Sequence, residues 1–304
     1  MFNQEIKIGI HGPRSSGKTC YLAALYGGRS DGDCSIAFSD DDSIDTLKNV
    51  WQKLERGEVE EGTTYTKDFA FALTTNGHTH NIRIQDYPGE LVQRIEGQEI
   101  GLSTDVKEWH KRCDAIIIFI DIYKAVHGST GELRERADEI DLLINDLLSR
   151  FRHRIKKPVV LALTKWDVFS PDPTDFEKEK EVATEFLQQR FSSVDDIAKS
   201  VKNFSENFCI IPVSAFGGNQ KGILPPQGGP KPFNTIRPFE WCVERVSEIR
   251  KRKWKKRIGA SIAIFFAFLG LTAAFFDQRS RSQYASLIED LDAEKKSAED
   301  MKRS

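Results

Sequence analysis

The run Gly12-Pro13-Arg14-Ser15-Ser16-Gly17-Lys18-Thr19 has the spacing G-x-x-x-x-G-K-S/T, and its residue types suit the grip of a phosphate chain. Glycines let backbone N–H groups approach anionic oxygens, and a helix beginning at the second glycine adds the positive end of its dipole. Lys18 brings a point charge, and Thr19 brings a hydroxyl suited to Mg²⁺. The expected contact set is Gly12, Ser15, Ser16, Gly17, Lys18, Thr19 and Cys20, with Lys18 also placed in the chemistry.

Three further groups fall in order behind it. Asp86-Tyr87-Pro88-Gly89 offers a carboxylate for Mg²⁺ through water and, at Gly89, an amide that could sense a terminal phosphate. Thr164-Lys165-Trp166-Asp167 ends in a carboxylate able to accept two hydrogen bonds at once. Guanine presents such a pair of donors, N1–H and the 2-amino group, whereas adenine presents an acceptor at N1. Lys165 is expected to lay its stem along the base. Ser214-Ala215 follows, with the Ala215 N–H expected on the guanine O6.

The elements that must hold these groups are legible. Ile6, Ile8 and Ile10 alternate with Lys7 and Gly9, a short strand feeding the loop, and a helix is expected from near Lys18. Residues 68–74 and 79–85 read as strands joined by a turn at Asn76-Gly77. The apolar runs 115–120, 159–163 and 208–213 suit buried parallel strands. Between the first two, Leu133, Ala137, Ile140, Ile144, Leu147 and Phe151 recur at helical steps, as a crossover helix requires. Residues 175–202 read as a charged helical segment, and 217–238 as a Gly/Pro-rich loop. The fold class is α/β, a three-layer α/β/α phosphate-loop domain with a mostly parallel central sheet, plus one C-terminal transmembrane helix.

With these motifs in this order, residues 5–216 resemble a Ras-like GTPase domain of the TRAFAC class. The stretch after the loop, Tyr21-Leu22-Ala23-Ala24-Leu25-Tyr26, is also similar to bacterial GTPases of the double-GTPase group. The resemblance implies GTP and GDP as ligands, Mg²⁺ on Thr19 and Asp86, and a further Mg²⁺-binding threonine in a loop before the second core strand. Thr63, Thr64 and Thr66 compete for that role, and Thr64 is favoured by its distance from Asp86.

Two departures bear on hydrolysis. Ras-like enzymes carry Gln after D-x-x-G, and this chain has Glu90, whose charge accepts a proton from water but repels the γ-phosphate. Intrinsic hydrolysis is then expected to be slow without an activating partner. Arg14 stands where Ras-like proteins carry glycine. It could act as a finger in cis, obstruct one supplied in trans, or face solvent.

Residues 258–276 contain no charge. At about 1.5 Å per residue a helix of that length comes close to the roughly 30 Å hydrocarbon core. The basic run 250–257 precedes it, whereas only Arg279 and Arg281 lie close behind, so the expected orientation is N-terminal domain cytoplasmic. Contact of the basic run with anionic lipid follows from its position, and Trp254 suits the headgroup layer. Tyr284, Leu287, Ile288 and Leu291 recur at helical spacing in the tail, either as an interaction helix or as a marginal one.

The whole chain carries 304 residues and a formal net charge of −2. A dedicated nucleic-acid binder usually has a broad basic excess, so no nucleic acid is expected. The five cysteines, Cys20, Cys34, Cys113, Cys209 and Cys242, form no C-x-x-C pair and favour a reducing compartment. The first ten residues lack the apolar core of a secretory signal.

The resulting organisation is a cytoplasmic GTPase domain at 1–250 containing the 217–238 loop, a juxtamembrane segment at 251–257, a span at 258–276 and an extracytoplasmic tail at 277–304. The expected role is a single-pass, membrane-anchored GTP-hydrolysing switch whose partners are guanine nucleotide, membrane lipid and unidentified protein effectors. A dynamin-like membrane-remodelling enzyme, a non-hydrolysing scaffold and an ATPase are its rivals. The first needs a long helical stalk that is not legible here.

Overall fold

The computed structural model describes residues 5–12, 15–28, 30–31, 34–59, 67–86, 108–109, 111–127, 157–170, 173, 175–190, 207–218, 226 and 228–301. It divides into two units, 1–247 and 248–304.

In the first unit, β1 (Ile6–His11) leads into α1 (Lys18–Gly27). A short antiparallel pair, β2 (Ser30–Asp31) and β3 (Cys34–Phe38), precedes α2 (Asp41–Glu55). None of these three elements, between α1 and the first hairpin, is expected from the sequence reading. The signals for α2 are nonetheless local: the Asp40 carboxylate accepts from the Ser43 N–H at 2.7 Å, and Asp41 and Asp42 sit in the first turn. Leu47, Val50 and Leu54 recur on the buried face of that helix.

β4 (Lys67–Thr75) and β5 (His78–Asp86) form the expected hairpin, with Asn76 at φ 50° and Gly77 at φ 72°. Two positive φ values at the turn match the right-handed twist of the strands they join. β6 (Ala115–Asp121), α3 (Ile122–His127), β7 (Val159–Thr164), α4 (Phe176–Arg190) and β8 (Phe208–Pro212) follow. The amphipathic stretch 133–151, and residues beyond 190 in the charged segment, lie outside the described residues.

The strands make one sheet in the order β2-β3-β4-β5-β1-β6-β7-β8. Pairing is antiparallel from β2 to β5 and parallel from β5 to β8. The parallel strands β6 and β7 have no polar face to show. Ile117 and Phe119 pack into the main core, and Ile116, Ile118 and Ile120 on the alternate face are buried as well. A strand covered on both sides reads as an uninterrupted apolar run, which is why the sequence located these two so closely.

The last described helix of the fold, α5 (Arg237–Met301), begins inside this unit. Phe239, Cys242, Val243 and Val246 enter the main core beside Tyr21, Leu22 and Leu25 of α1. Tyr21 packs edge-on against Phe119 at 4.8 Å, and its hydroxyl donates to the Thr235 carbonyl at 2.5 Å. Burial, with a smaller contribution from Cys242, pushes that phenol well above its usual range.

A polar knot ties α5 to the antiparallel half of the sheet. Glu240 accepts from the Cys34 thiol at 3.0 Å, from the Thr75 hydroxyl at 3.0 Å and from Arg237 at 2.7 Å. Burial pushes the Glu240 carboxyl up, but these donors and the Arg237 charge outweigh it and hold the group below the ordinary carboxylate range. A depressed folded value gives stability that is present above the unfolded carboxylate range and lost as pH falls through the folded one.

In the second unit the helix carries the uncharged run identified in the sequence. Its most apolar 18-residue window has a mean hydropathy of 2.2, and none of that window is buried. The segment is long and apolar enough to cross a membrane.

Replacing Glu240 by alanine removes the acceptor shared by Cys34, Thr75 and Arg237. Denaturant unfolding of the 1–247 unit in the intact chain should show a loss of about 1–3 kcal/mol at neutral pH. That loss should shrink in acid, and a difference independent of pH would contradict the linkage.

Candidate functional site

The carboxyl ends of β1, β6 and β7 lie side by side, with Ile10 paired to Ile117 and Asp121 to Thr164. Loops leaving that edge converge, the usual place for a ligand in an open parallel sheet. β1 delivers Gly12 there. A Cβ at Gly12 would stand 2.6 Å from the Ser16 hydroxyl and 2.9 Å from the Phe119 Cβ, so only glycine lets the loop lie against β6. Ser15 at φ 63° and Gly17 at φ 85° turn the backbone into α1, whose N-terminus carries no side-chain cap. Left-handed residues spaced in this way form a backbone nest, whose N–H groups favour an anion.

Lys18 is buried, and its ammonium donates to the Gly12 carbonyl at 2.8 Å, folded back across the loop. Ser16 is 1% exposed, and its hydroxyl has no hydrogen-bond partner among the described residues. A hydroxyl buried alone at a phosphate loop is a site that an anionic oxygen would satisfy. Thr19 and Cys20 are half-buried at the start of α1. The Cys20 side chain packs against the cluster of Ala23, Val50, Leu54 and Phe216, so any phosphate contact from that residue must come from its N–H.

The second half of the site is built on β7. The Thr164 hydroxyl lies 2.9 Å from the Ser16 carbonyl and 3.1 Å from the Ile120 carbonyl, joining the phosphate loop to the ends of two strands. Lys165 takes φ 59°, which turns the chain into a 3-10 turn at Trp166–Val168. Its ammonium pairs with Asp121 at 2.6 Å and sits 5.7 Å from the Tyr123 ring centroid. Trp166 points the other way, wholly buried, with its indole N–H on Glu179 at 2.6 Å and its ring against Phe169 and Phe186.

Asp167 is 1% exposed, and one of its oxygens accepts from the Ser214 hydroxyl. The same serine oxygen accepts the N–H groups of Phe216 at 3.2 Å and Gly217 at 2.9 Å. Ser214 therefore acts as a clasp that curls the Ala215 segment around the carboxylate. A carboxylate oxygen has a second lone pair, so the clasp is compatible with bonds to a base. Backbone pairing of Ser214 with Phe233 holds the clasp from outside, which gives the Gly/Pro-rich loop a fixed return point.

Gly12, Ser15, Ser16, Gly17, Lys18, Thr19, Thr164, Lys165, Asp167, Ser214 and Ala215 are thus placed on loops and element ends at one edge of the sheet. Asp86 ends β5, one residue beyond the pairing of Gln85 with Gly9, and its side chain is outside the described residues. Arg14, Thr63, Thr64, Thr66, Gly89 and Glu90 also lie outside them. Sequence reasoning passed over Asp121, Tyr123 and Glu179, which hold the Thr164–Asp167 loop. A carboxylate closing the apolar run of β6 was the available signal for Asp121, whereas nothing local marks Glu179.

A family model described as Double-GTPase 2 matches residues 6–219. Among solved structures, the Arl6 BBS3 small GTPase from Trypanosoma brucei, determined with a bound nucleotide analogue, GppNp, is 12% identical to this chain. That likeness covers 81% of this chain and 99% of the other, with a TM-score of 0.41. No curated protein matches. Of the two likenesses, only the family match bears on function.

Asp121→Asn keeps the shape at the end of β6 but removes the charge that holds Lys165. Guanine nucleotide affinity, measured by fluorescence titration, should fall about tenfold, the ~1.4 kcal/mol scale of one partly buried charged contact. Unfolding should move little. Unchanged affinity would dismiss Asp121 as a positioning residue.

Proposed function

The chain belongs to the Double-GTPase 2 family, and from that premise we propose that it is a membrane-anchored GTPase, binding GTP and hydrolysing it to GDP and phosphate as a switch at the cytoplasmic membrane face. Guanine binding rests on family membership. The observation that carries the finer reading is the pairing of two buried groups at one sheet edge: the Ser16 hydroxyl in the phosphate loop, which has no partner among the described residues, and the Asp167 carboxylate clasped by Ser214. One suits a phosphate and the other suits the donor edge of guanine.

In this reading the N–H groups around Ser15–Thr19 and the Lys18 ammonium bind the phosphates, with Lys18 leaving the Gly12 carbonyl to do so. Asp167 accepts the guanine N1–H and 2-amino donors, the Ala215 N–H reaches O6, and Lys165 covers the base. Thr19 and Asp86 are the residues that would hold Mg²⁺, with Thr64 completing the set. The hydroxyl of Thr19 at the mouth of a nest and the place of Asp86 beside β1 fit that ion. When bound, the ion neutralises phosphate charge.

The Gly89 N–H would report the γ-phosphate, and Glu90 and Arg14 are the residues proposed to act on attacking water and on transition-state charge. A segment long and apolar enough to cross a membrane supports the anchor, and the basic run before it supports the orientation. Effectors that distinguish the GTP and GDP states complete the proposal.

The experiment is a competition between GTP and ATP for the purified chain, repeated with Asp167→Asn. The unaltered chain should prefer GTP. The variant should bind GTP about ten- to a hundredfold more weakly, a loss of ~1.5–3 kcal/mol, and show no advantage over ATP. Equal binding of both nucleotides by the unaltered chain would mark it as something other than a guanine reader. Single-turnover phosphate release then tests the chemistry: Arg14→Ala and Glu90→Gln should each change the rate, and unchanged rates in both would remove them from it.

A further inference from the structure

The segment that closes the candidate site after β8 spends its backbone donors unevenly. The Ser214 N–H goes to the Phe233 carbonyl at 3.0 Å, and those of Phe216 and Gly217 go to the Ser214 hydroxyl oxygen. Among the described residues, the Ala215 N–H between them has no acceptor. A donor left over at a ligand edge serves recognition only if its direction is fixed, because a peptide that swings loses in ordering what the bond returns.

Phe216 supplies that fixing. It is 8% exposed and forms a small cluster with Ala23 of α1 and with Val50 and Leu54 of α2, against which Cys20 and Ala215 also pack. The two helices meet so closely that a Cβ at Gly27 would run into the Trp51 indole. The Phe216 carbonyl is held as well, accepting from the Lys231 N–H at 2.5 Å. The peptide that carries the Ala215 N–H therefore lies between a serine bonded on two sides and a phenylalanine packed against two helices.

We propose that Phe216 is a specificity-positioning residue for the purine base: packed against α1 and α2, it holds the Ala215 N–H where that donor meets the oxygen at position 6. The inference rests on the guanine reading given above. Adenine carries an amino donor at that position, and two donors facing each other in a closed site leave both unsatisfied. In this role the Phe216 side chain touches neither base nor phosphate and acts through the peptide before it. Cys20 and Ala23 belong to the helix that follows the phosphate loop, so the cluster also sets this donor relative to the phosphate cradle, through residues separate from the Thr164 contact. α2, which no motif announces, thereby takes part in base selection.

The test uses the intact purified chain and displaces a fluorescent guanine diphosphate with GDP, 6-thio-GDP or IDP. The thio analogue keeps both donors for Asp167 and replaces the oxygen by sulfur, a larger and weaker acceptor. IDP keeps the oxygen and lacks the 2-amino group. In Phe216→Ala the preference for GDP over 6-thio-GDP should fall about fivefold, the scale of one neutral hydrogen bond, while the preference for GDP over IDP stays within about twofold. Phe216→Leu refills most of the cluster and should restore the first preference. Val50→Ala opens the cluster from α2 with a smaller cavity and should show the same pattern, which keeps the test decisive should Phe216→Ala not fold.

Both preferences falling together, or neither falling, in a folded variant overturns the role of Phe216 and leaves the guanine reading standing. So does an unaltered chain that prefers GDP over IDP and ADP but not over 6-thio-GDP. An unaltered chain with no preference for GDP over ADP overturns the guanine reading itself, and the positioning role with it. Selective loss at position 6, reversed by leucine, is the expected result.

Discussion

The Thr164 hydroxyl lies between the carbonyls of Ser16 and Ile120, and the two halves of the candidate site keep their spacing through it. It sits at the end of a strand buried on both faces, where its one proton lies within reach of two backbone carbonyls from different elements. It thereby joins the phosphate loop to the end of β6 and to the loop that carries Asp167. A base reader and a phosphate cradle are useful together only at a fixed separation, and a short buried hydroxyl is a stiff means of setting one.

Around that contact the polar groups come in linked pairs. Asp121 restrains Lys165, Glu179 restrains Trp166, and Ser214 restrains Asp167 while gathering two N–H groups of its own loop. Each restraint arrives from a different element, β6, α4 or the segment after β8. The loop is thus located from several directions. Preorganisation of this kind lowers the ordering cost of binding.

The fold also links the site to the start of α5. Tyr21 in the helix that follows the phosphate loop packs on Phe119 and hydrogen-bonds the Thr235 carbonyl, and Glu240 holds α5 to Cys34 and Thr75. Along the chain, β4 and β5 run between the segments that carry Thr64 and Gly89, so the antiparallel half of the sheet adjoins both the helix start and the two segments proposed to change with nucleotide. Packed side chains and buried hydrogen bonds transmit small displacements because the interior has little room to absorb them.

The sequence by itself determined the parallel core, the hairpin and the identity of the loop residues. Residue type alone sets those features: a strand buried on both faces must be apolar throughout, an Asn-Gly turn accepts positive φ, and the loop glycines stand where a side chain would collide or strain. The uncharged run in α5 was legible for the same reason, since length and composition decide suitability for lipid. Tertiary structure decided the rest. α2 and the short edge pair were missed between α1 and β4, although Asp40 and the spacing of Leu47, Val50 and Leu54 marked the helix locally. Asp121 meets Lys165 across 44 residues and Ser214 meets Asp167 across 47, and no periodicity announces such partners. They are found only when the strands set their register, because a hydrogen bond depends on distance in space, and sequence spacing fixes that distance only within a single element.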